Sequence, residues 1–188
     1  MTAPKLVLHP TRPATGLAVS AIREALQGLG LLGPAFRLDG RQHHRTGPAF
    51  LDHLGFLGCA PAIVLDPPGT DLAAAARAGR FCHIQLSEAG PAPRVRLQAG
   101  RRPRCPACRA DIDPSGLADP RAGGQTVCDG CGHAARAWEL HWRQAGGFAE
   151  VFLDIWGIHA AEAVPGERLL DSLGRLGGGT WGFFYLED

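Results

Sequence analysis

Two Cys-x-x-Cys pairs, Cys105/Cys108 and Cys128/Cys131, stand nineteen residues apart in RCPACRADIDPSGLADPRAGGQTVCDGCGH. Two intervening residues let both thiolates of a pair turn toward one ion, and a loop of this length brings the second pair back to close a tetrahedron. Pro106 and Gly132 suit the tight turns required, while Arg109 occupies the position that glycine takes in the second knuckle. The spacing predicts a zinc ribbon in which Cys105, Cys108, Cys128 and Cys131 hold one Zn2+ ion, although thiolate sites also take iron. Two disulfides are disfavoured in a reducing compartment, and four buried free thiols are disfavoured by the paired spacing.

Four thiolates fill the coordination sphere, so no position is left for an activated water and the expected role is structural. In small isolated modules such an ion supplies about 10–16 kcal/mol of apparent binding energy, enough to order a loop rich in glycine and proline. His133 and His141 lie close in sequence but are not needed as ligands.

At 188 residues and 45% hydrophobic, the chain can build one full core with a small appendage. Lys5 to His9 reads as a strand, Ala14 to Leu29 as a helix, Phe50 to Leu57 as a short buried helix and Ala62 to Leu65 as a strand. Asp71 is placed to cap a helix over Leu72 to Ala78, and Phe81 to Leu86 and Arg94 to Leu97 read as strands. Phe148, Val151, Phe152, Ile155 and Trp156 recur at helical spacing, with Glu150 and Asp154 on the opposite face. Pro165 opens a further helix carrying Leu169, Leu170, Leu173 and Leu176, stopped at Gly177 to Gly179, and WGFFYL at Trp181 to Leu186 closes the chain as a strand.

The fold class expected is α+β or α/β, a single mixed domain. Its parts are an N-terminal α/β portion over 1–98, an inserted zinc ribbon over 99–137, and helices and a strand over 138–188 that return to the first core.

Composition excludes several chemistries. Lys5 is the sole lysine against eighteen arginines, so there is no P-loop lysine and little scope for Schiff-base catalysis. Gly28, Gly30 and Gly33 spell GxGxxG but close a helix and run into Pro34, which reads as a helix stop, not a dinucleotide loop. The opening MTAPKLVLHPTRP has too short an apolar run for a secretory leader, and the stretch Ala49 to Leu65 is too interrupted to span a bilayer. The expectation is a soluble cytoplasmic protein without a membrane partner.

Arg101, Arg102, Arg104, Arg109 and Arg136 flank the knuckles and form a candidate partner-binding surface. From Arg94 to Arg143 nine arginines face five acidic residues, but a four-thiolate zinc centre carries a formal charge of about −2 that cancels part of the excess. A protein partner is therefore favoured over nucleic acid. Cys59 and Cys82 sit in apolar contexts and read as small buried hydrophobes. His43 and His44 fall in a polar link and read as solvated; neighbours in extended backbone face opposite ways, so they do not share an ion. His159 and Glu162, with Glu167 near, form the closest approach to an acid/base cluster. Trp138, Trp142, Trp156 and Trp181 are expected to pack.

The ordered set FLGCAPAI, GRFCHI, CPAC, CDGCGH, EVFLDIWGIHAAEAVPGERLL and WGFFYLED resembles a small, uncharacterised family of proteobacterial zinc-ribbon proteins over most of the chain. Members sometimes carry the label sugar-transporter ATPase, which a chain without a phosphate-loop lysine contradicts. The resemblance implies the four cysteine ligands and no mechanism. The leading expectation is a zinc-binding adaptor or regulator. The alternatives are an enzyme with a site in the α/β portion away from zinc, and a metal-trafficking protein.

Overall fold

The computed structural model describes residues 3–13, 16–58, 62–88, 92–118 and 124–187. Strand β1 (Lys5–Pro10) is followed by helix α1 (Val19–Gly28), then strands β2 (Leu32–Leu38), β3 (Arg41–Thr46) and β4 (Leu54–Phe56). Helix α2 (Leu72–Arg77) leads to β5 (His83–Glu88) and β6 (Arg94–Leu97). The cysteine region contributes β7 (Gln125–Val127) and β8 (Ala134–Arg136). The chain then adds β9 (Gly146–Ala149), β10 (Val151–Trp156), β11 (Ala163–Pro165), helix α3 (Glu167–Leu173) and β12 (Trp181–Leu186). This is a mixed α+β domain whose main sheet has the order β12-β1-β10-β5-β3-β2, with every described pairing antiparallel.

Register assigns each residue to a face. Leu6, Ile155 and Ile84 lie opposite one another, as do Leu8, Leu153 and Leu86, and this side buries Ile22 and Leu26 of α1 and Leu169 and Leu173 of α3. The opposite side carries Lys5, Asp154, Gln85 and Ser87 as well as Val7, Phe152 and Phe184, because side chains alternate along each strand. β6 pairs with β9 beside this second face, so the chain leaves for the cysteine region and returns from it at one place.

The segment from Phe148 to Trp156 is not the amphipathic helix that its periodicity predicts. It forms β9 and β10, and β10 is buried on both faces between β1 and β5. A strand covered on both sides is apolar almost throughout, so VFLDIW satisfies a helical template as readily as an extended one, and its β-branched and aromatic residues decide for strand. Asp154, expected on a solvated face, is 1% exposed.

Other differences have local causes. Phe50 to Leu57 is a single 3-10 turn, Leu51–His53, running into β4, and the segment from 62 to 65 forms no strand. The link holding His43 and His44 is β3, with both imidazoles buried. α1 begins at Val19 and is shorter than the periodic stripe. The glycines after it serve chain reversal: Gly30 has φ of 69°, and a Cβ on Gly33 would lie 2.5 Å from the Thr46 carbonyl oxygen.

The remaining elements follow the sequence closely. Asp71 caps α2 by accepting from the Ala74 N–H at 2.9 Å. Leu169 and Leu173 of α3 are fully buried, and β12 forms the sheet edge beside β1. No helix among the described residues is long and apolar enough to cross a membrane.

Candidate metal centre

Each knuckle is built by backbone hydrogen bonds that curl it around its sulfurs. In the first, Cys105 N donates to Ala110 O at 2.9 Å and Arg109 N to Cys105 O at 3.1 Å. The second repeats the arrangement, with Cys128 N donating to His133 O at 2.9 Å and Gly132 N to Cys128 O at 2.8 Å. The corresponding turn residues, Arg109 and Gly132, both take left-handed backbone, with φ of 66° and 70°. The ribbon's small core packs Cys105 and Cys128 with Ile112, Leu117 and Leu140 against Phe148 of β9, which anchors the module to the rest of the domain. Gly124 makes that seat, since a Cβ there would meet the Phe148 ring at 2.7 Å.

The four sulfurs all lie within 4.8 Å of one another, with Cys105 Sγ to Cys131 Sγ at 3.8 Å and Cys108 Sγ to Cys128 Sγ at 3.5 Å. These separations are far beyond a disulfide bond of about 2.05 Å. A regular tetrahedron with metal–sulfur bonds of about 2.3 Å has edges of about 3.8 Å, so the cluster is dimensioned for one metal ion. Cys105 and Cys128 are buried, and Cys108 and Cys131 reach the surface.

The protons obey the same geometry. The Cys108 N–H is the chief influence drawing the Cys105 thiol down to about 6, aided by the Ala107 N–H. At Cys131 the His133 N–H favours the thiolate, but the surrounding sulfurs push the group up to about 12. Four thiolates this close repel one another, and a divalent cation among them removes that penalty.

Around the centre, Arg101, Arg102, Arg109 and Arg136 are exposed, whereas Arg104 is half-buried and pairs with Asp111 at 3.3 Å. The Arg136 guanidinium stacks over Trp138, 5.1 Å from the ring centroid. Trp181 is buried, Trp138, Trp142 and Trp156 are half-buried, and His133 and His141 are exposed.

Residues named for catalysis are occupied otherwise. Glu162 accepts from Ala62 N at 2.6 Å and from His159 N at 3.0 Å, so its carboxylate ties two backbone segments together. The His159 imidazole instead meets Glu187 at 3.4 Å, and Glu167 heads α3 at the surface. His43 and His44, expected in solvent, point into opposite faces of the sheet: His43 contacts Phe36, His83 and Trp156, and His44 bonds Gly33 O and Gln42. Cys82 is a buried thiol pushed up to about 12 by desolvation, which makes it unreactive. Cys59 lies outside the described residues.

Sequence reasoning missed the network around Asp154. Arg96 and Ser87 donate to its carboxylate, and Lys5 stands 4.0 Å away while also lying over Trp156. Only the presence of an aspartate inside an apolar run could have drawn attention to it.

No family model, curated protein or solved structure matches this chain.

Proposed function

We propose that this protein is a zinc-ordered adaptor or regulator, in which one structural Zn2+ fixes the ribbon and the ribbon offers a partly basic surface to a protein partner. The carrying observation is the four-sulfur cluster, whose dimensions match a closed tetrahedral site with no position for a reacting water. Two features favour a protein partner over nucleic acid. Between residues 99 and 137 six arginines face four acidic residues, an excess of two that a centre of formal charge about −2 cancels, so the ribbon has no long-range polyanion field. The ribbon also presents Val127 at 62% exposure together with the Arg136–Trp138 stack, a composition suited to protein interfaces.

Native mass spectrometry of protein purified from its own host tests this reading. One zinc per chain and a retained polypeptide partner are expected, and combined Arg101→Glu, Arg102→Glu and Arg136→Glu substitutions should release the partner while leaving the zinc. Unchanged partner affinity in that variant would sink the surface assignment. Rapid zinc exchange with a weak chelator in the folded protein would favour trafficking instead, since a structural ion leaves only when its module opens.

A further inference from the structure

The β3–β5 ladder stops after two pairs, His44 with Ile84 and Arg45 with His83. Continued in the same register it would place Gln42 opposite Leu86 and Arg41 opposite Ser87. These four residues instead line a cavity of about 360 Å³ that opens where the strands part. α1 contributes Val19 and Arg23 to its lining, and β6 contributes Arg94. Three arginines from three separate elements thus line one hollow, and no acidic residue lines it among the described residues. Glu150 lines an adjoining hollow that shares Val19 and Arg23.

None of the three arginines is held in a close ion pair within the described fold. Arg45, Arg77, Arg96 and Arg104 each pair with a carboxylate, but Arg23, Arg41 and Arg94 are in no ion pair with a described acidic residue. Arg23 Nε is buried without a hydrogen-bond partner, a state proteins seldom tolerate without a reason. Arg94 is held below its usual range by desolvation and by repulsion from Arg96, which attraction to Asp154 offsets only in part, and an anion beside it would relieve the remaining penalty.

The cavity is also preorganised on its neutral side. His44 Nδ1 donates to Gly33 O at 3.2 Å, which leaves Nε2 to accept from the Gln42 amide at 3.0 Å and holds that side chain in place. Gln85 and Ser87 add buried polar groups to the wall.

We propose that this cavity binds a small molecule carrying two or more phosphate or carboxylate groups. Guanidinium forks match the paired oxygens of both groups, and a volume above about 300 Å³ is in the range of small-ligand sites. The site is separate from the zinc ligands, and its arginines are not those assigned to the ribbon surface. It therefore stands or falls independently of the adaptor reading.

Isothermal titration of the zinc-loaded protein with inorganic pyrophosphate and with citrate, at matched ionic strength in a chloride buffer, provides the test. Saturable binding of one equivalent is expected, tighter for pyrophosphate if the natural group is phosphate and tighter for citrate if it is carboxylate. Arg23→Gln, Arg41→Gln and Arg94→Gln should each weaken binding about tenfold or more, while Arg101→Gln should leave it unchanged. Amide shift changes on adding pyrophosphate or citrate to the unaltered protein, centred on Gln42, Gln85 and Ser87, give a reading that needs no variant. Absence of binding by both probes would overturn the proposal. So would binding that Arg101→Gln weakens as much as the cavity variants, or shift changes confined to the ribbon.

Discussion

Arg96 grips Asp154 with both arms of its guanidinium, Nη1 to Oδ1 at 2.6 Å and Nη2 to Oδ2 at 2.9 Å, at a carboxylate only 1% exposed. The pair joins β6, the strand that leads into the ribbon, to β10 at the centre of the main sheet. Asp154→Ala strands a buried cation, and removing one partner of such a pair costs about 3–5 kcal/mol. Urea unfolding should show that loss, and Arg96→Met should show a similar one. Replacing both, as in Asp154→Leu with Arg96→Met, should cost much less than the two losses added. A double variant whose loss equals that sum would show that the two groups do not act as a pair.

Chelating the metal should divide the molecule. The ribbon core depends on sulfurs that repel one another without a cation, whereas the sheet has its own core of Leu6, Leu8, Ile84, Leu153 and Ile155 packed against α1 and α3. After zinc removal, or in Cys105→Ser, amides between Arg104 and His141 should lose hydrogen-exchange protection while those of β1, β5 and β10 keep it. Simultaneous loss in both regions would show that the ribbon is not a separable unit.

What the sequence made legible follows from how local each signal is. The cysteine spacing is a short-range code, and the Asp71 cap, α3 and the terminal β12 are likewise marked by their own residues and by neighbouring proline or glycine. β10 was hidden because burial on both faces erases the alternation that identifies a strand. β3 was hidden because RQHHRT looks like a solvated link; His43 is buried by Phe36, His83 and Trp156, which come from three other strands. The arginine cavity has no sequence signature, since Arg23, Arg41 and Arg94 meet only once the sheet has formed.

Acid should destabilise the protein through two of those buried rings. Burial is the main cause that holds both His43 and His83 at about 4, with nearby Asp154 partly opposing it at His43 and repulsion from His43 adding to it at His83. His43 Nδ1 and His83 Nε2 have no hydrogen-bond partner, so a proton added there gains no hydrogen bond to offset the loss of solvent. In the unfolded chain each ring takes up its proton near 6.5; in the folded one it does so only near 4. Unfolding therefore binds protons in this window, and stability falls as pH drops from about 6.5 toward 4, by up to about 1.4 kcal/mol per pH unit for each ring. His83→Phe keeps an aromatic ring against Trp156 and should reduce the measured slope by about one proton. An unchanged slope in that variant would mean that His83 is not a source of the acid sensitivity.

The first knuckle offers a sharper separation of stability from function. Arg109 holds φ of 66° where its counterpart Gly132 holds 70°, and a side chain in that region costs about 1–2 kcal/mol that glycine avoids. Part of the gain is returned because glycine frees the unfolded chain, so Arg109→Gly should stabilise the zinc-bound protein by about 0.5–1 kcal/mol and raise its melting temperature by a few degrees. The Arg109 side chain is exposed and in no ion pair with a described residue, so its loss removes no internal support. If the ribbon surface engages a protein through Arg109, the same variant will bind that partner more weakly while melting higher. A variant that melts higher and binds as before would remove Arg109 from the interface, and one that melts lower would show that the side chain supports the knuckle itself.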